Sequence, residues 1–237
     1  KFGLFFNKAI KQGADFIATG HYARIKNGRL LKAKDKNKDQ TYFLYTLKQN
    51  QLNKIIFPVG DYTKPEVRAL AKKFKLHVAE KKDSQGVCFI GPLDMKNFLK
   101  SYINPRKGKI IDISNSRELE IGTHDGVYYY TIGQRHGLDI KNGKGPYFVV
   151  KKDIKKNIIY VGKEKDLYSK KAKIKNISWI LRPEKFPALV DVRTRYRAPL
   201  IKAELKKDGT LIFKKTERAI TPGQSAVFYK GNAALGG

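Results

Sequence analysis

"ADFIATGHYAR", residues 14–24, is the stretch that indicates the fold class of this chain. Its short apolar run ends at Gly20, which is typical of a buried strand in a parallel sheet. Ligands of open α/β sheets collect beyond the carboxyl ends of such strands, and His21 follows directly. We therefore expect an α/β segment with His21 at a sheet edge. The alternative is that His21 only hydrogen-bonds to the backbone.

Three helices are predicted around this strand. The first is already under way at residue 1 and stops at Gly13. Asp39 can cap the second, and Thr63 and Glu66 have the capping-box spacing that starts the third. The apolar residues expected to face a core are Phe2, Phe5, Phe6 and Ala9 in the first helix, Phe43, Leu44 and Leu47 in the second, and Val67, Leu70, Ala71 and Phe74 in the third.

Strand patterns dominate the chain beyond about residue 82. "IKAELKKDGTLIFKK", residues 201–215, predicts a β-hairpin with Asp208 and Gly209 in the turn. Further strands in this part of the chain are predicted in "KGKIIDI" (107–113), "ELEIG" (118–122), "GVYYYTIG" (126–133), "PYFVVKK" (146–152) and "NIIYVG" (157–162). Before residue 82, "RLLKA" (29–33) is also a predicted strand. The pattern indicates an α/β part, a small mixed part and a C-terminal antiparallel β-barrel.

Positive charge is the largest compositional feature. The chain has 50 Lys and Arg against 21 Asp and Glu, a formal net charge of +29. A polyanion is the partner such a charge favours, and RNA or DNA comes before membrane lipid. The alternative is a solvated lysine-rich surface. We find no apolar run of membrane-spanning length and no secretory signal, and we expect a soluble, cytoplasmic protein.

One strand pattern places several of these charges together. In "VDVRTRYR", residues 190–197, alternation puts Arg193, Arg195 and Arg197 on one face. Three like charges on one strand face repel each other, which favours a bound polyanion. An ordinary exposed strand face is the alternative interpretation.

Cys88, in "DSQGVCFIG" (83–91), is the only cysteine of the chain. A single cysteine excludes an internal disulfide framework, and with four His a zinc site is not expected. Gly86 allows close backbone approach, and Lys81 and Lys82 favour the thiolate, which is the nucleophilic form. The alternative is a small buried apolar side chain. Walker, dinucleotide-binding, zincin and nucleophile-elbow motifs are absent from the sequence.

Several stretches together resemble the bacterial tRNA-specific 2-thiouridylase (MnmA/TrmU) family, in order and with similar spacing. They are "ADFIATGHYAR", "KDQTYFLYTL", "FPVGDYTKPEVRALA", "KDSQGVCFIG", "TIGQRHGL", "PYFVV" and "PGQSAVFY". The resemblance implies an adenine-nucleotide-hydrolase-like (PP-loop, Rossmann-like) α/β domain, a small central α+β domain and a C-terminal antiparallel β-barrel that binds tRNA. The corresponding segments are 1–86, 87–147 and 148–237.

The activity implied by the resemblance is ATP-dependent thiolation of the wobble uridine of tRNA. ATP adenylates the C2 oxygen, and a persulfide on Cys88 supplies the sulfur. By similarity, Gly20 contacts the nucleotide. The residues that contact tRNA by similarity are His21, Lys38, Asp39, Gln40, Arg195, Tyr196 and Gln224. Magnesium is expected with ATP, and no structural metal is expected. The implied sulfur donor is a cysteine desulfurase or a sulfur-relay protein. We expect the protein to be a monomer.

Two features of the family pattern are missing from this chain. These are the "SGGVDS"-type phosphate loop and the first catalytic cysteine, which forms a disulfide with Cys88 when sulfur is released. We therefore expect the 237-residue chain to be inactive alone. Two other hypotheses stay open: a non-catalytic RNA-binding module in which Cys88 is only packed, and a different PP-loop enzyme that modifies another base.

Overall fold

The computed structural model describes residues 1–81, 93–115 and 117–237 of the chain. It has two compact units. The first consists of Lys1–Lys81, Lys171–Lys215 and Gln224–Gly237, and the second of Lys82–Lys170 and Thr216–Gly223. The three domain segments expected from the sequence, 1–86, 87–147 and 148–237, stay a prediction.

Five α-helices and fourteen strands are defined within the described residues. The helices are α1 (Leu4–Lys11), α2 (Thr41–Leu44), α3 (Gln49–Leu52), α4 (Lys64–Lys73) and α5 (Met95–Lys100). The strands are β1 (Ile17–Ala18), β2 (Ala23–Lys26), β3 (Arg29–Lys32), β4 (Ile55–Ile56), β5 (Gly108–Asp112), β6 (Leu119–His124), β7 (Phe148–Asp153), β8 (Ile158–Gly162), β9 (Tyr168–Lys173), β10 (Ala188–Arg193), β11 (Ile201–Leu205), β12 (Thr210–Arg218), β13 (Val227–Lys230) and β14 (Ala233–Gly236).

The predicted parallel strand is confirmed in the first unit. β1 pairs with β4 in parallel, with Ile17 opposite Ile55. The helix before it begins at Leu4 and not at residue 1. Phe5 was expected in the core but is 59% exposed, because Phe2, Phe6, Ala9 and Ile10 form the face that packs on the core.

An eight-stranded antiparallel sheet carries most of the β structure. Its order is β2-β3-β14-β13-β10-β11-β12-β9. β3 pairs with β14 through Leu31 and Ala233, so a hairpin from the start of the chain extends the C-terminal sheet. The hairpin predicted over 201–215 is confirmed, with β11 and β12 in register from Ala203 opposite Phe213 to Leu205 opposite Leu211.

The second unit contains a four-stranded sheet in the order β6-β5-β8-β7. Its core includes Ile110, Val149, Ile159 and Val161. The strand predicted over 126–133 is wrong, because Val127–Tyr129 forms a 3₁₀ helix. The amide of Val127 donates to the side-chain oxygen of Asn157 at 3.1 Å, a contact that binds it to a loop and not to a neighbouring strand.

Helix α4 confirms one prediction and corrects another. The hydroxyl of Thr63 accepts from the amide of Glu66, and the carboxylate of Glu66 accepts from the amide of Thr63, which makes the predicted capping box. The expected core stripe is wrong, because no residue of α4 is fully buried and Phe74 is 64% exposed. A capping box is set by local sequence, whereas burial depends on what packs against the helix.

Candidate nucleic-acid interface

Asp39 lies below the surface of the first unit and organises the segment around it. It is 3% exposed. Its carboxylate accepts from the amide of Ala33 at 3.2 Å, from the hydroxyl of Thr41 at 2.9 Å and from Nη1 of Arg193 at 3.0 Å. Gln40 occupies the N-cap position of α2, but the Asp39 carboxylate accepts from the amide of Thr41, the first residue of the helix, at 3.3 Å, so Asp39 does cap this end as expected. Asp39 is placed to hold this segment in position.

Arg193 corrects the predicted row of three exposed guanidinium groups. Its side chain is 12% exposed and pairs with Asp39, and its guanidinium lies 5.6 Å from the centre of the Tyr229 ring. Strand β10 ends at Arg193, so Arg195 and Arg197 lie in the turn that follows. Only Arg197 of the three is exposed. The charge of Arg193 is therefore balanced inside the fold by the carboxylate of Asp39.

Tyr42 joins three segments that are distant in sequence. From α2 its hydroxyl donates to the carbonyl of Ser225 at 2.9 Å and lies 3.4 Å from that of Thr194. Burial raises the pKa of Tyr42, so the hydroxyl stays protonated as a donor at neutral pH. Arg195 follows Thr194, and the exposed Gln224 precedes Ser225. The structure therefore brings α2, Arg195 and Gln224 together.

Gln40 and His21 are brought together through Tyr22, which lies between β1 and β2 and follows His21 in sequence. The side-chain oxygen of Gln40 accepts from the amide of Tyr22, and the amide of Gln40 donates to the carbonyl of Tyr22, both at 2.8 Å. The side-chain oxygen of Gln40 is thus held by the backbone of Tyr22. The side-chain nitrogen, Nε2, is the group of Gln40 that can donate to a ligand. His21 is the next residue toward the end of β1.

His21 sits at the predicted end of the parallel pair. Its Nδ1 lies 2.9 Å from the hydroxyl of Thr19, and its ring packs against the rings of Phe2 and Phe57, at centroid distances of 5.5 and 5.9 Å. Burial lowers the pKa of His21, and the positive charge of Lys1 lowers it further. At neutral pH the ring is therefore uncharged, and it offers hydrogen bonds in place of a positive charge.

The exposed ring of Phe43 and the half-buried ring of Tyr196 form what we call the aromatic platform. Their centroids are 4.5 Å apart, and the guanidinium of Arg197 lies 5.2 Å from the centre of Tyr196. Phe43 was expected in the core but is 55% exposed, because α2 is a single turn whose buried residues are Thr41, Tyr42 and Leu44. Sequence reasoning missed Phe43 as a surface residue. Its position three residues after Gln40 was the available signal.

Gly20 and Lys38 occupy accessible positions, whereas Cys88 lies outside the described residues. Gly20 follows β1 and is exposed. Lys38 is half-buried at the start of the α2 segment. Within residues 1–81, 93–115 and 117–237 there is no group of three or more His, Cys, Asp or Glu that could hold a metal ion. No helix in that same part of the chain is long and apolar enough to cross a membrane.

Three family models match consecutive parts of the chain. Residues 1–92 match a tRNA methyl transferase HUP domain, residues 96–163 a tRNA methyl transferase PRC-barrel domain, and residues 169–237 an aminomethyltransferase beta-barrel domain. The fold class predicted from the sequence is confirmed by these matches: a nucleotide-binding α/β part, a mixed central part and a C-terminal β-barrel.

Curated relatives match the chain from end to end. It is 45% identical over 249 residues to the tRNA-specific 2-thiouridylase MnmA of Halalkalibacterium halodurans, of which the alignment covers 66%. The proteins of the same name from Buchnera aphidicola and Bacillus velezensis are 48% and 44% identical, with 68% and 67% of their lengths covered. In each case 100% of this chain is aligned, so it spans about two thirds of the length of these relatives.

Proposed function

Because this chain belongs to the family of tRNA-specific 2-thiouridylases, we propose that it forms part of an enzyme that replaces the C2 oxygen of the wobble uridine of tRNA by sulfur. The observation that carries the proposal is the end-to-end identity of 44–48% to those relatives together with the matches to all three domain models. The protein is thereby assigned to the sulfurtransferases.

The tRNA surface of this proposal consists of residues that the first unit brings together. His21, Lys38, Gln40, Arg195, Tyr196 and Gln224 would contact the RNA. Gln40 offers a directed donor, Tyr196 a ring for stacking, and Arg195 a positive charge, which are the groups that recognise an unstacked nucleotide. Asp39 would act through its neighbours, since its carboxylate is occupied by Thr41 and Arg193.

ATP would supply the adenylyl group that makes the C2 oxygen of uridine a leaving group. HUP domains of this class bind ATP, and the chain matches one over residues 1–92. Gly20 leaves open space for a nucleotide, because no atom of the described residues, its chain neighbours aside, lies within 4 Å of the position that a Cβ would take. Magnesium would accompany ATP, and we assign no described carboxylate to it.

Cys88 would carry the sulfur as a persulfide that a cysteine desulfurase or sulfur-relay protein delivers. The thiolate form accepts and transfers this sulfur. The terminal sulfur of the persulfide would bond to C2, and the C2–O bond would break as AMP leaves. In the complete protein the thiolate of the first catalytic cysteine would then attack the sulfur of Cys88, which breaks the sulfur–sulfur bond, leaves sulfur on C2 and forms a disulfide between the two cysteines. Lys81, which is exposed next to the segment that carries Cys88, would favour the thiolate.

The test is thiolation of tRNA by the complete protein supplied with ATP, a cysteine desulfurase and cysteine. We expect 2-thiouridine at the wobble position, measured by mass spectrometry of digested tRNA. Cys88→Ser should abolish the product and leave the Kd for tRNA unchanged, since a hydroxyl does not carry sulfane sulfur. Wild-type activity that persists in Cys88→Ser would contradict the sulfur-carrying role and favour a structural cysteine.

A further inference from the structure

A cationic cleft borders the aromatic platform. It has a volume of about 330 Å³ and is lined by Lys36, Asn37, Lys38, Arg193 and Arg197. Four of these residues are cations, of which Arg193 has its charge balanced by the buried carboxylate of Asp39. One is an amide, and no carboxylate belongs to the described lining. Such a lining matches the charge and the acceptor oxygens of a phosphate group.

The cleft is held in shape by the fold. Asp35 accepts from the amides of Asn37 at 3.0 Å and Lys38 at 3.3 Å with one carboxylate oxygen, and from the amide of Lys64 at 3.0 Å with the other. The guanidinium of Arg193 is fixed by Asp39. Both carboxylates therefore fix elements of the cleft, which lowers the ordering cost of binding an anion.

Arg197 connects the cleft to the platform. Its φ is +63°, a left-handed conformation that is uncommon for a residue with a side chain and occurs preferentially at functional sites. Its guanidinium both lines the cleft and lies over Tyr196, which in turn contacts the exposed Phe43. A positive cleft next to an exposed ring is the arrangement that binds the phosphate and base of single-stranded nucleic acid.

We propose that this cleft binds a backbone phosphate of the tRNA and that Phe43 stacks on the base of the neighbouring nucleotide. The inference rests on the proposed function, because tRNA is the substrate there. The inference adds four residues to the proposed tRNA surface: Lys36, Asn37, Phe43 and Arg197. A free phosphate or the phosphates of ATP would satisfy the same cleft chemistry but would not use the platform.

The first experiment measures the Kd of the complete protein for its tRNA as a function of potassium chloride concentration. Arg197→Gly removes the guanidinium while permitting the left-handed backbone. We expect its plot of log Kd against log salt to be shallower by about 1, the effect of losing one phosphate contact. Lys207→Ala, an exposed residue outside the cleft, is the control of equal charge and should keep the wild-type slope.

The second experiment tests the platform. Phe43→Leu keeps an apolar side chain but removes the ring, and we expect affinity to fall about 5- to 100-fold with an unchanged salt slope, as for loss of one stacked base. Phe43→Trp should retain wild-type affinity. An Arg197→Gly slope equal to that of Lys207→Ala, or a Phe43→Leu affinity within twofold of wild type, would overturn the inference.

Competition separates the sources of the phosphate. We expect inorganic phosphate and ATP to weaken tRNA binding no more than potassium chloride of the same ionic strength. Stronger competition that disappears in Arg197→Gly would show a free-anion site and overturn the assignment to RNA. Failure of the proposed function looks different: wild-type protein would then make no 2-thiouridine, whatever these variants do.

Discussion

Asp39 and Arg193 are 154 residues apart in sequence, and their side chains meet at 3.0 Å inside the first unit. The same carboxylate holds Thr41 and the amide of Ala33. One buried ion pair thus fixes the start of α2 against the end of β10, and both of those segments carry residues of the proposed tRNA surface. The pair is the structural basis of that surface.

Removing Asp39 should destabilise the protein strongly. Asp39→Ala leaves Arg193 buried without its carboxylate, and we expect the free energy of unfolding to fall by about 3–5 kcal/mol. Adding Arg193→Met to that variant should recover part of the loss, because the uncompensated charge is gone. Chemical denaturation measures both. Glu120→Ala, which breaks the exposed pair with Lys109, is the control and should cost at most about 1 kcal/mol. An equal cost for Asp39→Ala and Glu120→Ala would contradict the role of the buried pair.

Gln40 offers a substitution that separates folding from binding. Gln40→Glu keeps an oxygen that accepts from the amide of Tyr22 but replaces the donor group by a negative charge. We expect unchanged thermal unfolding and a loss of tRNA affinity of about 5- to 100-fold, the range for one base contact. Gln40→Met, which also lacks the acceptor, should in addition lose about 1–3 kcal/mol of stability. Normal tRNA affinity in Gln40→Glu would remove Gln40 from the interface.

Tyr42 should matter through the loops that it joins. Tyr42→Phe removes the hydroxyl that donates to the Ser225 carbonyl, and we expect a loss of about 1 kcal/mol in stability. Because the loop that carries Gln224 is then less ordered, tRNA affinity should fall without a change in salt slope. Tyr128→Phe, at an exposed tyrosine of the second unit, is the matched control. Unfolding and tRNA titrations check both effects, and an unaltered affinity would show that the loop is fixed by other contacts.

Local sequence predicted those elements that are stabilised by neighbouring residues. The Thr63 and Glu66 capping box and the hairpin turn at Asp208 and Gly209 both depend on spacings of a few residues, and both are present. The parallel strand at Ile17 followed from its apolar run. Each of these patterns lies within one short segment, so the element can be predicted without knowledge of tertiary contacts.

Contacts between distant segments could not be predicted in this way. The sequence around Asp39 carries no signal that its carboxylate pairs with Arg193, and strand alternation wrongly placed that arginine at the surface. Phe43 was assigned to a core because its helical spacing fits a longer helix than the one turn of α2. The site residues themselves came from the family resemblance. Burial depends on tertiary packing, which overrides local pattern.

His124 should make the second unit sensitive to acid. Its Nδ1 accepts from the amide of Gly126 at 2.9 Å, and burial lowers the pKa of its ring. The unfolded chain therefore binds the proton more tightly, so stability is complete above about pH 6.5 and falls as pH decreases below it, by at most about 1.4 kcal/mol per pH unit. Denaturation at several pH values measures this slope.

Two substitutions assign that slope to one histidine. His124→Gln should reduce the loss of stability between pH 6.5 and lower pH, because glutamine does not titrate. His136→Gln, at an exposed histidine of the same unit, should leave the pH dependence unchanged. An identical pH dependence in wild type and His124→Gln would contradict the assignment.

Following one sulfur atom through a single turnover tests the sulfur-carrying role of Cys88 most directly. The complete protein is loaded with ³⁵S by a cysteine desulfurase and separated from the donor, after which ATP and unmodified tRNA are added. We predict that label leaves Cys88 and appears as 2-thiouridine in the tRNA, and that Cys88→Ser takes up no transferable label. Label that stays on the wild-type protein in the presence of ATP and tRNA, or that reaches tRNA from Cys88→Ser, would rule out Cys88 as the sulfur carrier.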